Sequence, residues 1–268
     1  MTRTTLAVGV AGVGLLGPGL ADWRSGCQHL AEPAGWRAAP TVVPPAARLP
    51  ANERRRAGNL VKASVVVADQ ACTMAGVDAA ALATVFTSST GDTANCHALC
   101  EILATPDRLM SPTRFTNSVH NAAAGYWHIA LRSMQPSTSL AAFDASFAAG
   151  LLEAAAQCIV AAQPVLLVAC DLPFPEPLNA LRPLPDLFAV ALLLVPAGQT
   201  ALAQMALEFA GDEAATRCAD AGLEQLRRAI PAARALPLLQ ALARGAAARL
   251  VLEDQPGQSL RLQLDVSP

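Results

Sequence analysis

Three apolar segments in the second half of the chain constrain the fold most. Pro164 to Cys170 and Phe188 to Val195 contain only apolar residues, which predicts strands that are covered on both faces. Ser146 to Val160 is rich in alanine and apolar nearly all round, which predicts a helix in the protein interior. Strands that alternate with buried helices indicate an α/β protein in which helices cover both faces of a sheet.

The segments before this region extend the same alternation. The pattern predicts strands at 5–11, 83–88 and 138–143 and helices at 54–75, 93–103 and 118–132. Asp92 or Thr93 is the expected N-cap of the second of these helices. Residues 33–52 contain five prolines and no periodicity, so we expect a loop there.

The character of the chain changes after Pro196. Residues 201–210 read as a strand that is expected to pair with strands near 250–252 and 260–264, and 214–244 as a helix pair broken at Pro231 and Pro237. No repeat and no low-complexity linker interrupts the sequence. We therefore expect a single domain over residues 1–268, in which 196–268 pack as an extension on residues 5–195.

Composition excludes two classes of partner. The formal net charge is −2 and the basic residues are scattered apart from Arg54 to Arg56, so no basic face for nucleic acid is predicted. Hydrophobic residues make up 53% of the chain and charged residues 15%, but the longest apolar run, Leu187 to Val195, is too short to span a bilayer. The excess of apolar residues is expected in a core or a partner interface.

The seven cysteines and the N-terminus indicate a cytoplasmic protein. Their odd number and mostly apolar surroundings predict reduced, buried thiols and no disulfide framework. The apolar stretch that begins at Leu6 contains several glycines, which suit a strand and turn better than the helical part of a signal peptide.

Three short motifs have structural explanations that we prefer. Gly12-x-Gly14-x-x-Gly17 matches a dinucleotide fingerprint, but Pro18-Gly19 follows where the phosphate-binding helix should begin. Cys96 and Cys100 flank His97 without a fourth ligand at a recognisable spacing, so buried thiols are expected there. Ser118, His120 and Asp144 could be combined into a nucleophile, a base and an orienting group, but any α/β chain with four histidines offers such a combination by chance. No cofactor and no metal site are predicted.

Ordered blocks of sequence resemble a known family. They are Phe115-Thr-Asn-Ser-Val-His-Asn-Ala-Ala-Ala-Gly-Tyr126, Ser139 to Ala154 and Gln163 to Asp171, preceded by Val8 to Gly14 and Thr87 to Gly91. In this order they are similar to the β-ketoacyl-acyl carrier protein synthases, over roughly residues 5–195. The resemblance implies a thiolase-like layered fold, of which the chain would supply about one of two pseudo-symmetric halves, with extra C-terminal helices and strands.

Two departures from the family imply a catalytically inactive chain. Counting back from Glu153-Ala154 places Asp144 at the position of the nucleophilic cysteine, and a carboxylate cannot form a thioester by exchange. The family's two histidines lie in the second half, yet no histidine follows His128 here. We therefore assign no catalytic residue and expect no enzyme activity from the chain alone.

Such a relative most resembles the small chain-length-factor-like proteins of aryl polyene biosynthesis. The resemblance implies a heterodimer with a complete ketosynthase, contact with an acyl carrier protein through that complex, and a role in shaping the acyl pocket. The expected pocket and interface residues, each of which could also be plain packing or capping, are Phe115, Asn117, His120, Asn121, Phe143, Asp144 and Phe147.

Two other functions stay open at this point. One is an active acyl-transfer or malonyl-decarboxylating enzyme that uses Asp144 or Ser146. The other is a docking scaffold for a carrier protein that takes no part in shaping a pocket.

Overall fold

The computed structural model describes residues 5–253 and 257–266. These form eight strands and ten α-helices, together with short 3₁₀ turns. The strands are β1 Leu6–Leu16, β2 Ala83–Thr87, β3 Ser137–Leu140, β4 Val165–Asp171, β5 Phe188–Pro196, β6 Ala203–Phe209, β7 Ala248–Glu253 and β8 Ser259–Asp265. The helices are α1 Trp23–Ala31, α2 Ala51–Arg56, α3 Asn59–Ala75, α4 Thr93–Leu103, α5 Pro112–Thr116, α6 Ala122–Leu131, α7 Ser146–Ala161, α8 Leu178–Leu181, α9 Ala221–Ala229 and α10 Leu236–Arg244.

All eight strands belong to one mixed sheet in the order β3-β2-β4-β5-β1-β6-β8-β7. Strand β2 is parallel to β3 and β4, and every other neighbouring pair is antiparallel. The carboxyl ends of β2, β3 and β4 therefore meet at one end of the sheet. The turns that follow these three strands build the candidate site.

Each face of the sheet carries its own hydrophobic core. Val165 and Leu167 of β4 pack with α7 and the C-terminal elements, whereas Leu166 and Val168 pack with α3 and α6 on the opposite face. Both faces of β4 and β5 are thus covered, which is why these strands are apolar without alternation. The predicted α/β class is confirmed.

Two glycines of β1 permit the closest helix–sheet contact. A β-carbon at Gly12 would lie 2.2 Å from the carbonyl oxygen of Ala71, and one at Gly14 would lie 1.9 Å from that of Val67. Both acceptors belong to α3, so the glycines let this helix pack directly on the strand. This packing explains the motif that resembles a dinucleotide fingerprint.

The last three strands repeat an arrangement found earlier in the sheet. Strands β6, β8 and β7 lie in the same order as β1, β5 and β4, and the antiparallel β1–β6 pair lies between the two sets. In each set a 3₁₀ turn and a helix, α7 or α10, precede the outer strand. Residues 203–265 therefore continue the sheet with a pseudo-symmetric copy of part of the first set.

One helical segment, Phe143–Ala161, is long and apolar enough to cross a membrane by length and composition. Half of this window is buried inside the protein, where α7 contacts β1, β2, β4 and β5. The packing of a core helix accounts for its composition.

Several local expectations are corrected. The helix expected at 54–75 is divided at Ala57-Gly58, and the helix expected at 118–132 begins only at Ala122. Strand β6 pairs with β8, which in turn pairs with β7, so β6 does not contact the strand near 250–252 directly.

The C-terminal helix pair and the cysteines also differ from expectation. Pro237 does not break a helix, because it lies in the first turn of α10, where a proline is tolerated since that amide has no helical partner.

All seven cysteines are free, as expected, but Cys96 and Cys100 are exposed and Cys27 is partly exposed. The prediction that all were buried is wrong, because α4 buries only Thr93, Asn95 and Leu99 and leaves Cys96 and Cys100 at the surface.

Candidate functional site

The turn after β3, which contains Asp144, is held by two hydrogen bonds of the Ser146 hydroxyl. A 3₁₀ turn, Phe143–Ala145, leads directly into α7, and Phe143 adopts the left-handed backbone conformation with φ 50°. The Ser146 hydroxyl donates to the carbonyl of Phe143 at 2.7 Å and accepts from the amide of Ala142 at 3.0 Å. A non-glycine residue in this conformation is uncommon and is often found at functional sites.

The carboxylate of Asp144 forms ion pairs with two arginines. Its Oδ1 lies 2.6 Å from Nη2 of Arg182, and its Oδ2 lies 3.2 Å from Nη2 of Arg234. Arg182 also donates to the hydroxyl of Ser89 at 2.9 Å and stacks 4.0 Å from the ring centroid of Phe143. Both oxygens of Asp144 are therefore occupied by guanidinium groups.

Asp144 and Arg234 occupy equivalent places in the two pseudo-symmetric sets of strands. Asp144 lies two residues before the first residue of α7, and Arg234 lies two residues before the first residue of α10. The ion pair thus joins the two corresponding 3₁₀ turns across the local symmetry. This contact fastens the C-terminal elements to the turn that resembles the family's nucleophile turn.

The ion-pair network continues beyond Arg234. Arg234 also pairs with Glu253 at the end of β7, and Arg227 lies 3.7 Å from the same carboxylate. Arg227 forms two further hydrogen bonds with Glu224, each 2.8 Å long. These hydrogen bonds lower the pKa of Glu224.

A cleft of about 570 Å³ opens beside this turn. Its charged lining consists of four carboxylates and one guanidinium, namely Asp144, Asp212, Glu213, Glu253 and Arg234. Three of these carboxylates, Asp144, Glu213 and Glu253, form ion pairs with arginines. The one guanidinium of the lining is itself paired, so the lining offers no free cation to a malonyl carboxylate.

The carboxylate of Asp171, at the end of β4, accepts hydrogen bonds from two turns, residues 88–90 and Pro231–Ala235. Its Oδ1 accepts hydrogen bonds from the amides of Ser89 and Thr90 at 2.7 and 3.0 Å and from the hydroxyls of Ser88 and Thr90. Its Oδ2 accepts from the amide of Ala232 at 2.8 Å. Burial raises the pKa of this carboxyl, against the opposite effect of the amide hydrogen bonds. Asp171 thereby fixes the position of the turn that carries Arg234.

The predicted residues of the 115–121 segment lie in two different environments. Asn117 is buried, where its side chain donates to the carbonyl of Arg56 at 2.8 Å and accepts from the hydroxyl of Tyr126 at 3.0 Å. Phe115 is 64% exposed, and Asn121 is exposed at the start of α6. Asn117 therefore holds the segment in place, and Phe115 presents an apolar ring to the surface.

His120 brings this segment next to the ends of β2 and β3. It lines a cavity of about 310 Å³ together with Val119, Ala141 and the turn 88–92. Ala141 lies two residues before Phe143, so the cavity adjoins the Asp144 turn. The structure thus brings His120 close to the turn, while Phe115 and Asn121 do not line this cavity.

Phe147 is buried in the hydrophobic core, where it cannot contact a partner protein. Its side chain is 1% exposed and belongs to the core beneath α7. The expectation of a surface role is corrected, because the helix turns this ring towards the sheet and leaves Phe143, which is 66% exposed, at the surface.

Arg182, Arg234 and Glu253 are site residues that sequence reasoning missed. Arg234 is 90 positions from Asp144, and neither arginine belongs to a motif with a known spacing. The signal that could have found Arg234 is the internal repeat, in which a short 3₁₀ turn precedes an apolar helix and then a strand.

Ser146 does not have the surroundings of an activated nucleophile. Its hydroxyl proton is donated to a backbone carbonyl, and among the described residues no histidine or carboxylate accepts it. Since an activated serine needs a base within hydrogen-bond reach, the geometry does not support acyl transfer here. Within residues 5–253 and 257–266, no group of three or more potential metal ligands is found.

We expect the Asp144–Arg182 pair to make a measurable contribution to stability. Asp144→Asn should lower the free energy of unfolding by about 1 kcal/mol, and a double-mutant cycle with Arg182→Ala should give a coupling of about 0.5–1 kcal/mol. Urea unfolding measures both values. Asp107→Asn, at an exposed position, is the matched control and should change nothing. Strictly additive effects of the two site variants would contradict the role of the pair.

The mixed eight-stranded sheet with its covering helices matches the fold of thiolase-like ketosynthases. The chain belongs to the β-ketoacyl synthase family: the model of the family described as "Beta-ketoacyl synthase, N-terminal domain" matches residues 23–256. This match extends beyond residue 195, where the resemblance was expected to end. No curated protein matches the chain.

Solved structures of ketosynthase complexes have the same fold. A structure of the ketosynthase ApeO with its chain length factor ApeC from Xenorhabdus doucetiae matches with a TM-score of 0.72 and 21% identity, covering 96% of this chain and 99% of that chain. The ishigamide ketosynthase/chain length factor matches with 0.73 and 14%, covering 98% and 100%. A type II polyketide synthase carrier protein in complex with its ketosynthase, AntDE:AntF, matches with 0.76 and 13%, covering 99% and 100%. At these identities the matches establish the fold.

Proposed function

We propose that this chain is a catalytically inactive chain length factor. It pairs with a complete β-ketoacyl-acyl carrier protein synthase as a heterodimer and shapes the acyl pocket of that enzyme, in a pathway of the aryl polyene type. The observation that carries the proposal is the occupation of the nucleophile turn by the Asp144 carboxylate and its two arginines. The turn holds no group able to form a thioester.

The free edge of the sheet supports pairing through β3. Within the described residues no strand pairs with the outer side of β3, whereas the segment at Thr216 exchanges two hydrogen bonds of 2.9 Å with Val251 of β7, at the opposite edge. An unpaired edge strand offers hydrogen-bonding groups to a second chain.

Exposed apolar side chains are also found on the elements next to β3. Met134, three residues before the strand, is 96% exposed, and Ile129 of α6 and Val160 of α7 are exposed as well. Exposed apolar groups near a free strand edge are typical of an interface with another protein. The solved matches that contain ketosynthases with chain length factors fit this interpretation.

The segment that carries Phe115 and His120 supports the pocket-shaping part of the proposal. Phe115 and Val119 are exposed apolar residues, and His120 lines a cavity beside the Asp144 turn. In a heterodimer formed through β3, these side chains would face the partner's growing chain. Phe115→Ala should then change the length of the partner's product while the complex persists.

Co-expression with a ketosynthase encoded by a neighbouring gene tests the pairing. A tag on the ketosynthase should retain this chain in a one-to-one complex through affinity and size-exclusion steps. A stable monomer of this chain that shows no affinity for the ketosynthase would refute the proposal.

The enzyme alternative has a direct assay. Decarboxylation of a malonyl carrier protein by the purified chain alone would establish activity. We expect no such activity, because the cleft offers no free cation to the malonyl carboxylate and the Ser146 hydroxyl donates its proton to a backbone carbonyl.

A second candidate function, docking of a carrier protein, is favoured by a different surface. A groove of about 640 Å³ is lined by Arg55, Arg56 and Arg114 with a single carboxylate, Asp92. Its positive charge suits an acidic protein surface. Arg55→Glu combined with Arg56→Glu should weaken carrier-protein binding by the complex and leave the ketosynthase pair intact. Unchanged carrier-protein binding would exclude this surface.

A further inference from the structure

A separate cavity between residues 214–217 and α9 has an unusual charged lining. Its volume is about 620 Å³, and every lining residue except Ala214 and Ala215 is charged, namely Arg217, Glu224, Arg227, Arg228, Arg234 and Glu253. It adjoins the cleft at the Asp144 turn, with which it shares Arg234 and Glu253. None of the functions considered above uses this cavity.

The charges around this cavity do not balance. Asp144, Glu224 and Glu253 compensate three guanidiniums, those of Arg182, Arg227 and Arg234.

Two guanidiniums remain at the mouth of the cavity. Arg217 and Arg228 are exposed and lie within 4 Å of no carboxylate in the described part of the chain. About two positive charges are therefore left over.

Two arginines of the cavity wall, Arg227 and Arg234, also retain unused donors. The Nε of Arg234 is buried and has no hydrogen-bond partner among the described residues. Nη1 of Arg227, on a side chain that is 6% exposed, lies 3.7 Å from Glu253, which is beyond hydrogen-bond range. An unsatisfied buried donor is costly, so such atoms commonly mark the place of a missing acceptor.

We propose that this cavity binds the phosphoryl group of a small organic phosphate. A phosphate monoester carries between one and two negative charges near neutral pH, which matches the two uncompensated guanidiniums better than a single carboxylate does. Planar guanidinium forks bind phosphate oxygens with paired hydrogen bonds. The volume accommodates a phosphoryl group together with part of the molecule that carries it.

The position of the site gives binding a structural consequence. A phosphoryl oxygen that accepts from Arg234 would share this guanidinium with Asp144 and Glu253. Binding in the cavity therefore stabilises the turn that carries Arg234. The inference does not depend on pairing with a ketosynthase, so its test is independent of the co-purification experiment.

Titration calorimetry of the full chain with inorganic phosphate and pyrophosphate, at low chloride concentration, tests the site. We expect saturable one-to-one binding, and the variant Arg217→Gln/Arg228→Gln should weaken it at least about tenfold, which corresponds to 1.4 kcal/mol. Both side chains are exposed, so the variant should unfold at the same temperature as the parent protein. Arg24→Gln/Arg132→Gln removes the same charge at exposed positions elsewhere and should bind phosphate as the parent does.

Two results would overturn the proposal. One is the absence of saturable binding up to about 10 mM of either anion, which is weaker than any specific small-ligand site needs. The other is binding that both double variants weaken equally, since that would show a general effect of net charge.

Discussion

Ser139→Pro should weaken pairing with a ketosynthase at least about 30-fold while the chain itself remains folded. The direction of the backbone groups in β3 is the reason. The carbonyls of Pro136 and Leu140 accept from Thr84 and Ser88, so the even-numbered residues of β3 face β2. Along a strand the direction alternates, and the amides of Ser137 and Ser139 therefore face the open edge.

A proline at position 139 removes one outward donor without touching the bonds to β2. Proline is tolerated on edge strands for this reason, and it blocks the addition of another strand. The lost hydrogen bond and the partner's unpaired acceptor together cost about 2 kcal/mol, which is at least about 30-fold in affinity. Co-purification and titration of the two purified chains measure the loss.

Ser139→Ala is the matched control, because it alters the side chain and keeps the amide. It should pair as the parent protein does. If Ser139→Pro unfolds normally in urea and still pairs normally, the partner does not use this edge, and the docking surface lies elsewhere.

The parts of the fold that the sequence predicted well have local causes. The cap of α4 is an example, since the Asp92 carboxylate accepts from the amide of Asn95 three residues later. Strands β4 and β5 were predicted almost to the residue, because burial on both faces requires uninterrupted apolar sequence. In these segments propensity, pattern and tertiary packing agree.

The parts that it missed depend on contacts between distant segments. Strand β1 was expected to end at residue 11 but continues to Leu16. The prediction stopped too early because glycine disfavours a strand locally, whereas Gly12 and Gly14 are needed here for the close contact with α3. Likewise, the sequence identified Asp144 but not its partners, since Arg182 and Arg234 come from other turns. No local pattern links Asp144 to cations that are 38 and 90 positions away along the chain.

Phe147→Ala should be the most destabilising of the substitutions considered, with a loss of about 3–5 kcal/mol in the free energy of unfolding. Its ring is almost completely buried in the core where α7 packs against the sheet. The truncation leaves a cavity that neighbours such as Leu151 and Phe188, which are themselves fully buried, cannot fill without moving the sheet. Urea unfolding measures the loss.

Phe143→Ala provides the matched comparison four residues away. This ring is mostly exposed and contributes its stacking with Arg182, worth about 1 kcal/mol or less at such a site, and the substitution creates no cavity. We therefore expect a change in stability several times smaller than that of Phe147→Ala, together with weaker pairing with the ketosynthase. Phe147→Leu should recover most of the lost stability, because leucine refills much of the volume. Equal losses at positions 143 and 147 would mean that Phe143 is part of the folded core, and its expected role as an interface residue would be wrong.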